Sequence, residues 1–334
     1  MPAEQTGSRP DRNLALELVR TTEYAALAAA RWTGRGEKES ADSAAVDAMR
    51  LMLDTVTMDG VVVIGEGEKD EAPMLYNGEH VGDGSHPLCD VAVDPLEGTE
   101  LCAKGMPNAL ATIALADRGT MFDPGPCFYM LKAATSSDMA SALDLDRPLS
   151  ETLSLMAKAK GTAVGDLVVI MLDRPRHEDA IREARKVGAR VRLIPHGDVS
   201  SVLVAVTEGS EVDLLWGIGG TPEGVLAASA IRCIGGKILG RLWPSDDAER
   251  QATLDAGYDL DEVLDTERLV SGENVFFSAT GVTGGDMLAG VVFEGPEGAT
   301  TESLVTRSRS GTVRRVHARH DRAKLREITG ERVG

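Results

Sequence analysis

Apolar residues recur at helical spacing near the start of the chain. Leu14, Leu18, Tyr24 or Ala25, Ala28 or Ala29 and Trp32 fall near one face and predict a helix over 14–32, ended by Gly34-Arg-Gly36. A second stripe, Ala45, Met49, Met52, Leu53 and Val56, predicts a helix over 40–58. Short apolar runs at 61–64, 88–93 and 109–116 read as strands, the first stopped by Gly65. Turn-rich segments lie between them, so the first half reads as α+β.

The second half changes rhythm. Apolar runs at 167–172, 190–194, 212–216 and 237–241 read as strands, and helical stretches at 177–187, 199–207 and 222–234 lie between them. This alternation predicts parallel β-α-β units, whose ligands bind beyond the carboxyl ends of the strands. Pro175-Arg-His177, His196-Gly-Asp198 and Gly217-Ile-Gly-Gly220 fall at those ends. Runs at 275–280 and 290–293 read as strands returning to the body. The expected division is an α+β domain over 1–160, an α/β domain over 161–318 and a basic tail over 319–334, with the boundary near 157–165. Neither an internal repeat nor a low-complexity block interrupts the pattern.

The chain has 334 residues, enough for a large buried core. Only 4% are aromatic, so aliphatic residues, Ala and Met must fill most of that core. The net charge of −18 opposes general nucleic-acid binding, which needs a basic face. It does not oppose anionic sugar phosphates, because a bound divalent cation reverses the local sign. Most of the acid is explained by solubility alone. Basic residues gather after Arg307, for which a solvated tail or a contact with another subunit's acidic body is the leading expectation. Cys89, Cys102, Cys127 and Cys233 form no Cys-x-x-Cys pair, and no apolar signal core precedes residue 12. Reduced thiols in a cytoplasmic protein are expected. No run approaches the roughly 20 apolar residues that span a bilayer, so no membrane partner is expected.

The most informative stretch is Cys89-Asp-Val-Ala-Val-Asp-Pro-Leu-Glu-Gly-Thr-Glu100. Its apolar run ends at Asp94, Glu97 follows three residues on, and Gly98-Thr99 opens a helix. Two carboxylates beside a hydroxyl and free backbone N–H groups suit a divalent metal and a phosphate together. A second acidic turn, Gly65-Glu-Gly-Glu-Lys-Asp70, precedes it. Together they point to metal-assisted hydrolysis of a phosphate ester. Plainer roles stand beside this one. Asp94 before Pro95 can form a turn, Glu223 after Pro222 can favour a helix start, and Thr99 can cap a helix. Dinucleotide loops fail, because the third glycine position is Pro222 in one candidate and Asp70 in the other. Walker A, Gly-x-Ser-x-Gly and His-Glu-x-x-His motifs are absent, and His317-x-x-His320 reads as incidental.

Gly65-Glu-Gly-Glu-Lys-Asp-Glu-Ala-Pro-Met74 followed by Asp94-Pro-Leu-Glu-Gly-Thr99 resembles class II fructose-1,6-bisphosphatase, within the lithium-sensitive sugar and inositol phosphatases. Gly34-Arg-Gly-Glu-Lys38, Asp173-Arg-Pro-Arg-His177, Gly217-Ile-Gly-Gly-Thr-Pro-Glu-Gly224 and Ala279-Thr-Gly-Val-Thr-Gly-Gly-Asp286 extend the resemblance over about 12–316. It implies a layered α/β fold of the fructose-bisphosphatase and inositol-monophosphatase type. It also implies Mn²⁺ or Mg²⁺ held by Glu66, Asp94, Glu97 and Glu223, with Asp42 as a further ligand. Thr99, partnered by Asp70, would orient the attacking water, and Lys38 would lie near the reacting phosphate. Glu97, Gly98, Thr99, Tyr129, Gly197 and Gly220 would contact substrate, and Arg174 and Arg176 would hold the second phosphate through their planar forks. Glu68 and Glu71 take no assigned role. His196-Gly-Asp198 stands where the family pattern is Asp-Gly-Asp, which puts sugar selectivity in question while Asp198 remains a candidate hydroxyl ligand.

The resemblance therefore implies release of the 1-phosphate of fructose 1,6-bisphosphate, in gluconeogenesis, by a homo-oligomer. Sedoheptulose 1,7-bisphosphatase, alone or as a dual activity, is the nearest alternative. An inositol monophosphatase would leave Arg174 and Arg176 without a second phosphate. A non-catalytic phosphosugar-binding regulator is the rival of another class. It predicts loss of a metal carboxylate or the threonine, whereas Glu66, Asp70, Asp94, Glu97 and Thr99 are all present.

Overall fold

A computed structural model describes residues 13–67 and 74–329. The chain opens with α1 (Ala15–Ala30) and α2 (Lys38–Leu53). It continues through β1 (Asp59–Ile64), β2 (His80–Val81), β3 (Leu88–Glu97), the short α3 (Thr99–Lys104) and β4 (Leu110–Asp117). The middle holds β5 (Tyr129–Thr135), α4 (Leu149–Lys160), β6 (Val168–Leu172), α5 (Glu178–Lys186), β7 (Arg190–Ile194), α6 (Asp198–Val206), β8 (Leu214–Gly220) and α7 (Thr221–Ile234). Next come β9 (Lys237–Leu242), α8 (Asp247–Asp255), β10 (Leu264–Asp265) and α9 (Thr266–Leu269). The chain closes with β11 (Phe276–Gly281), β12 (Val292–Glu294), β13 (Gly298–Arg307), β14 (Thr312–Asp321) and α10 (Arg322–Thr329).

The strands form two mixed sheets. One has eight strands in the order β12-β13-β11-β4-β3-β1-β2, with β14 also paired to β13. The other has six, in the order β10-β9-β5-β8-β6-β7. α1 and α2 cover the outer face of the larger sheet, where Leu18, Ala25, Met49 and Leu53 meet Val91, Ile113 and Phe276. α6 and α7 lie between the sheets, packing Val202, Leu226 and Ile231 among residues of both. α4 and α5 cover the far side of the smaller sheet through Leu153, Met156 and Ile181. Helices on both faces explain why β4 reads as a continuous apolar run rather than an alternation.

The fold is the layered α/β type expected, with differences in detail. β6 pairs in parallel with β7 and β8, as the alternation predicts. β5, however, runs antiparallel between β8 and β9, so the smaller sheet is not a run of parallel units. β5 was not anticipated, and the sheets change over between β4 and β5, ahead of the boundary expected near 157–165. The glycines of 217–220 lie within β8 rather than beyond its end, because Gly217 to Gly220 pair along β5. Residues 319–329 of the expected tail form the end of β14 and α10. Part of the basic charge after Arg307 is met within the chain: Arg315 pairs with Glu302 at 3.2 Å, Arg319 with Glu294 at 3.6 Å, and Arg326 with Glu297. His317 and His320 are three apart on a strand and so face opposite ways.

Candidate active site

Pro95 sets the geometry of β3. It has no N–H to donate, and the pairing with β4 shifts register between Asp94 and Glu97. The bulge turns both carboxylates toward the interior of the molecule. Gly98 follows with φ 77°, a left-handed conformation, and a Cβ there would sit 2.9 Å from Leu101 Cδ1. Thr99 then starts α3, its hydroxyl 3.0 Å from the Leu96 carbonyl and 3.3 Å from Asp42 Oδ1.

Asp42 reaches Thr99 because the turn after α1 is fastened to α3. The N–H groups of Gly34 and Gly36 donate to the carbonyls of Cys102 and Ala103, each at 2.9 Å. The first turn of α2, carrying Lys38 and Asp42, is thereby laid against the first turn of α3. Glu66 is placed by the turn after β1, where its N–H donates to the Leu75 carbonyl at 2.9 Å. Only glycine fits before it, since a Cβ on Gly65 would lie 1.9 Å from that same oxygen. Asp70, Glu68 and Glu71 lie outside the described residues.

The smaller sheet supplies the opposite wall. Gly197, at φ 100°, precedes Asp198 at the start of α6, and Val199 N–H donates to Glu97 Oε1 at 3.3 Å. Gly220 precedes α7, whose first turn holds Glu223. The Arg174 guanidinium donates to the carbonyls of Asp173 and Pro195, at 2.9 and 2.7 Å, and that of Arg176 to Ile218 at 3.2 and 2.9 Å. The Arg176 guanidinium also lies over the Tyr129 ring, 4.9 Å from its centre. His177 fastens this rim. Its Nδ1 bonds the Leu172 carbonyl at 2.7 Å and its Nε2 accepts from Ile218 N–H at 2.7 Å, so the ring is neutral with the proton on Nδ1.

These walls enclose a cavity of about 430 Å³. Every candidate residue among the described residues lines it. Burial with little compensation pushes the carboxyls up. Glu66 rises to about 7, with Asp42 adding, and Glu97 to about 8, with Asp198 and Glu223 adding. Burial also raises Asp94 well above the carboxylate range, reinforced by Glu97, Glu66, Glu223 and Asp42. Asp42 and Glu223 are raised by burial as well, opposed by the Thr99 hydrogen bond and Lys132 respectively. His196 is lowered by burial and by Arg174, and stands neutral at pH 7.

A divalent metal fits the chemistry of this wall. All the candidate donors are carboxylate oxygens, the preference of Mg²⁺ and Mn²⁺. The Oε2 atoms of Glu97 and Glu223 are buried and accept no hydrogen bond among the described residues. Yet no three acids, histidines or cysteines among those residues are drawn together into a closed cage. Two residues of the site were not anticipated: His177 as a fastener, and Lys132, whose buried ammonium lies behind Asp198. A lone lysine within the apolar run Tyr129–Thr135 was the available signal for the second.

Five buried or half-buried carboxylates and two held arginines lining one cavity, between two mixed sheets, are the layout of a phosphate-ester hydrolase of the layered α/β class. The comparisons agree. The family described as bacterial fructose-1,6-bisphosphatase, glpX-encoded, matches residues 12–320, and this chain belongs to it. The fructose-1,6-bisphosphatase class 2 of Haemophilus influenzae is 43% identical over 323 residues, covering 93% of this chain and 96% of that protein. The fructose-1,6-bisphosphatase 1 class 2 of Escherichia coli K12 is 44% identical over 322 residues, covering 92% and 95%.

Proposed function

We propose that the chain hydrolyses fructose 1,6-bisphosphate to fructose 6-phosphate and phosphate, with Mn²⁺ or Mg²⁺ held among Asp42, Glu66, Asp94, Glu97 and Glu223. The observation that carries this is the division of one cavity into a carboxylate wall and an arginine rim, in a chain of this family. When bound, the metal supplies charge neutralisation and Lewis-acid polarisation of the phosphoryl group.

The chain's own groups do the rest. The Thr99 O–H donates a hydrogen bond shared between the Leu96 carbonyl and Asp42, which leaves its oxygen lone pairs to accept a hydrogen bond from the attacking water. A threonine is too weak a base alone, so a carboxylate must take the proton, and Asp70 is the residue proposed for it. Lys38 stands at the same rim to meet the reacting phosphate. Arg174 and Arg176 each spend two N–H contacts on backbone carbonyls, which fixes their forks and leaves donors for the second phosphate. Tyr129 supports Arg176 from below and borders the substrate. Neutral His196, with Gly197, Asp198 and Gly220, faces the sugar hydroxyls, where the imidazole accepts one hydrogen bond in place of a carboxylate.

No helix among the described residues is long and apolar enough to cross a membrane. We place the enzyme in the cytoplasm, as a homo-oligomer serving gluconeogenesis.

The test is phosphate release by chelator-stripped protein, with Mg²⁺ or Mn²⁺ restored, from fructose 1,6-bisphosphate, sedoheptulose 1,7-bisphosphate and inositol 1-phosphate in parallel. Fastest release from the fructose ester is expected. Faster release from sedoheptulose bisphosphate reassigns the sugar, which is the role that His196 leaves open. No release from any, by folded metal-loaded protein, makes the binding-regulator reading the better one.

A further inference from the structure

We propose that Lys132 is a positioning residue for the sugar end of the substrate, acting through Asp198; this rests on the sugar-bisphosphate reading above. Lys132 lies in the middle of β5, between β8 and β9, and is 1% exposed. Its ammonium donates to the Gly220 carbonyl at 2.7 Å and lies 2.5 Å from Asp198 Oδ2. Taking an ammonium out of water costs several kcal/mol unless it is paired, so a lysine here needs a compensating role.

The surroundings are built around this ammonium. The residues directly opposite Lys132 on its two neighbouring strands are both glycines, Gly217 and Gly240, and the space beside them is taken by His177 and Met130. Gly219 carries the packing further: a Cβ there would lie 2.0 Å from Asp198 Oδ2 and 3.1 Å from Lys132 Cε. Carboxylate, lysine stem and bare backbone thus occupy one close-packed cluster behind the cavity wall.

The electrostatic need is equally local. Asp198 shares this wall with Glu97 and Glu223; burial raises both acids, the charge of Asp198 raises them further, and Lys132 opposes the rise at Glu223. Lys132 is the one cation paired with Asp198 among the described residues. It offsets the crowding from the side away from the substrate, and no arginine of the phosphate rim has to turn inward to do so. Because the same ammonium holds the Gly220 carbonyl, it ties the start of α6 to the junction of β8 and α7. Without it, the Asp198 carboxylate would lose the partner that fixes its orientation, and the sugar would lose a fixed acceptor.

The test uses the full chain with Mn²⁺ and steady-state kinetics on fructose 1,6-bisphosphate. Four proteins are compared: wild type, Lys132→Met, Asp198→Asn and the double variant. Lys132→Met should raise KM roughly tenfold or more, the effect of losing a hydrogen bond to a charged group, while kcat falls less than about threefold. In the Asp198→Asn background, adding Lys132→Met should raise KM no further, because the partner it acts through is already altered. A fall in kcat with KM unchanged overturns the proposal, since that is the signature of lost folded protein. A further large rise in KM in the Asn background also overturns it. Where Lys132→Met alone does not fold, the comparison of Asp198→Asn with the double variant, which removes both charges, decides the same point. Absence of release by wild type sinks the functional reading and this proposal together. Wild-type release with KM unmoved in the variants sinks this proposal alone.

Discussion

Thr99 has one hydroxyl proton and two acceptors, the Leu96 carbonyl at 3.0 Å and Asp42 at 3.3 Å. As a helix-start residue alone it would matter to stability and little to rate. As the group that holds the attacking water it should matter to rate. Thr99→Ala is expected to lower kcat by about a hundredfold or more, with KM within a few-fold, in steady-state assays. Unchanged kcat would return Thr99 to a structural role. Arg176 gives a second contrast. Its fork is fixed by Ile218 and Tyr129, so Arg176→Ala should raise KM for a bisphosphate far more than for a monophosphate. Equal effects on both would remove it from the second phosphate site. These residues were legible in the sequence because short motifs carry them: a turn, a proline or a glycine forces each carboxylate or arginine to one place. Lys132 and His177 were not, because their roles depend on partners far away in sequence, Asp198 and Gly220 for one, Leu172 and Ile218 for the other.

Three parts of the cavity lining are helix starts preceded by glycine, α3 after Gly98, α6 after Gly197 and α7 after Gly220. Gly98 and Gly197 adopt positive φ. At Gly220 the requirement is space, since a Cβ would lie 1.8 Å from Glu223 Oε2. Gly220→Ala should therefore displace the Glu223 carboxylate, weakening Mn²⁺ binding in calorimetry at least tenfold with little change in melting temperature. Unaltered Mn²⁺ affinity would exclude Glu223 from the metal set. Helices and buried parallel strands were readable from periodicity, because burial on both faces leaves long apolar runs. β5 was not, since a lysine sits at its centre and the chain reaches it through a turn containing Pro124 and Gly125. β13 and β14 were missed for another reason. β14 is exposed along most of its length and reads as a charged stretch, and its strand character comes from ten paired positions with β13.

At the scale of the whole molecule, the cavity is a concentration of acid that folding has to tolerate. Glu66 and Glu97 rise from the ordinary 4.5 to about 7 and about 8 when buried. The folded state thus holds these protons more tightly than the unfolded chain does. Their contribution to stability is complete below about 4.5 and is lost as pH rises through about 7 to 8. Buried Glu23, raised to about 7 away from the cavity, acts in the same sense. His177, His196 and His320, lowered from 6.5, act in the opposite sense and only below that value. Metal-free protein should therefore melt at progressively lower temperature from pH about 6.5 to about 8.5. Saturating Mn²⁺ should flatten the part that arises in the cavity, leaving that of Glu23. A melting temperature that is level across this range without metal would contradict the carboxylate cluster. The central claim, that this cavity removes the 1-phosphate of a sugar bisphosphate with the help of a divalent cation, is tested most directly by phosphorus NMR. Fructose 1,6-bisphosphate is incubated with chelator-stripped protein, and diamagnetic Mg²⁺ is then added. The account predicts stable resonances until the metal arrives, then loss of the C1 phosphate signal with growth of inorganic phosphate while the C6 signal persists. Loss of the C6 signal, or hydrolysis at the same rate before Mg²⁺ is added, would contradict it.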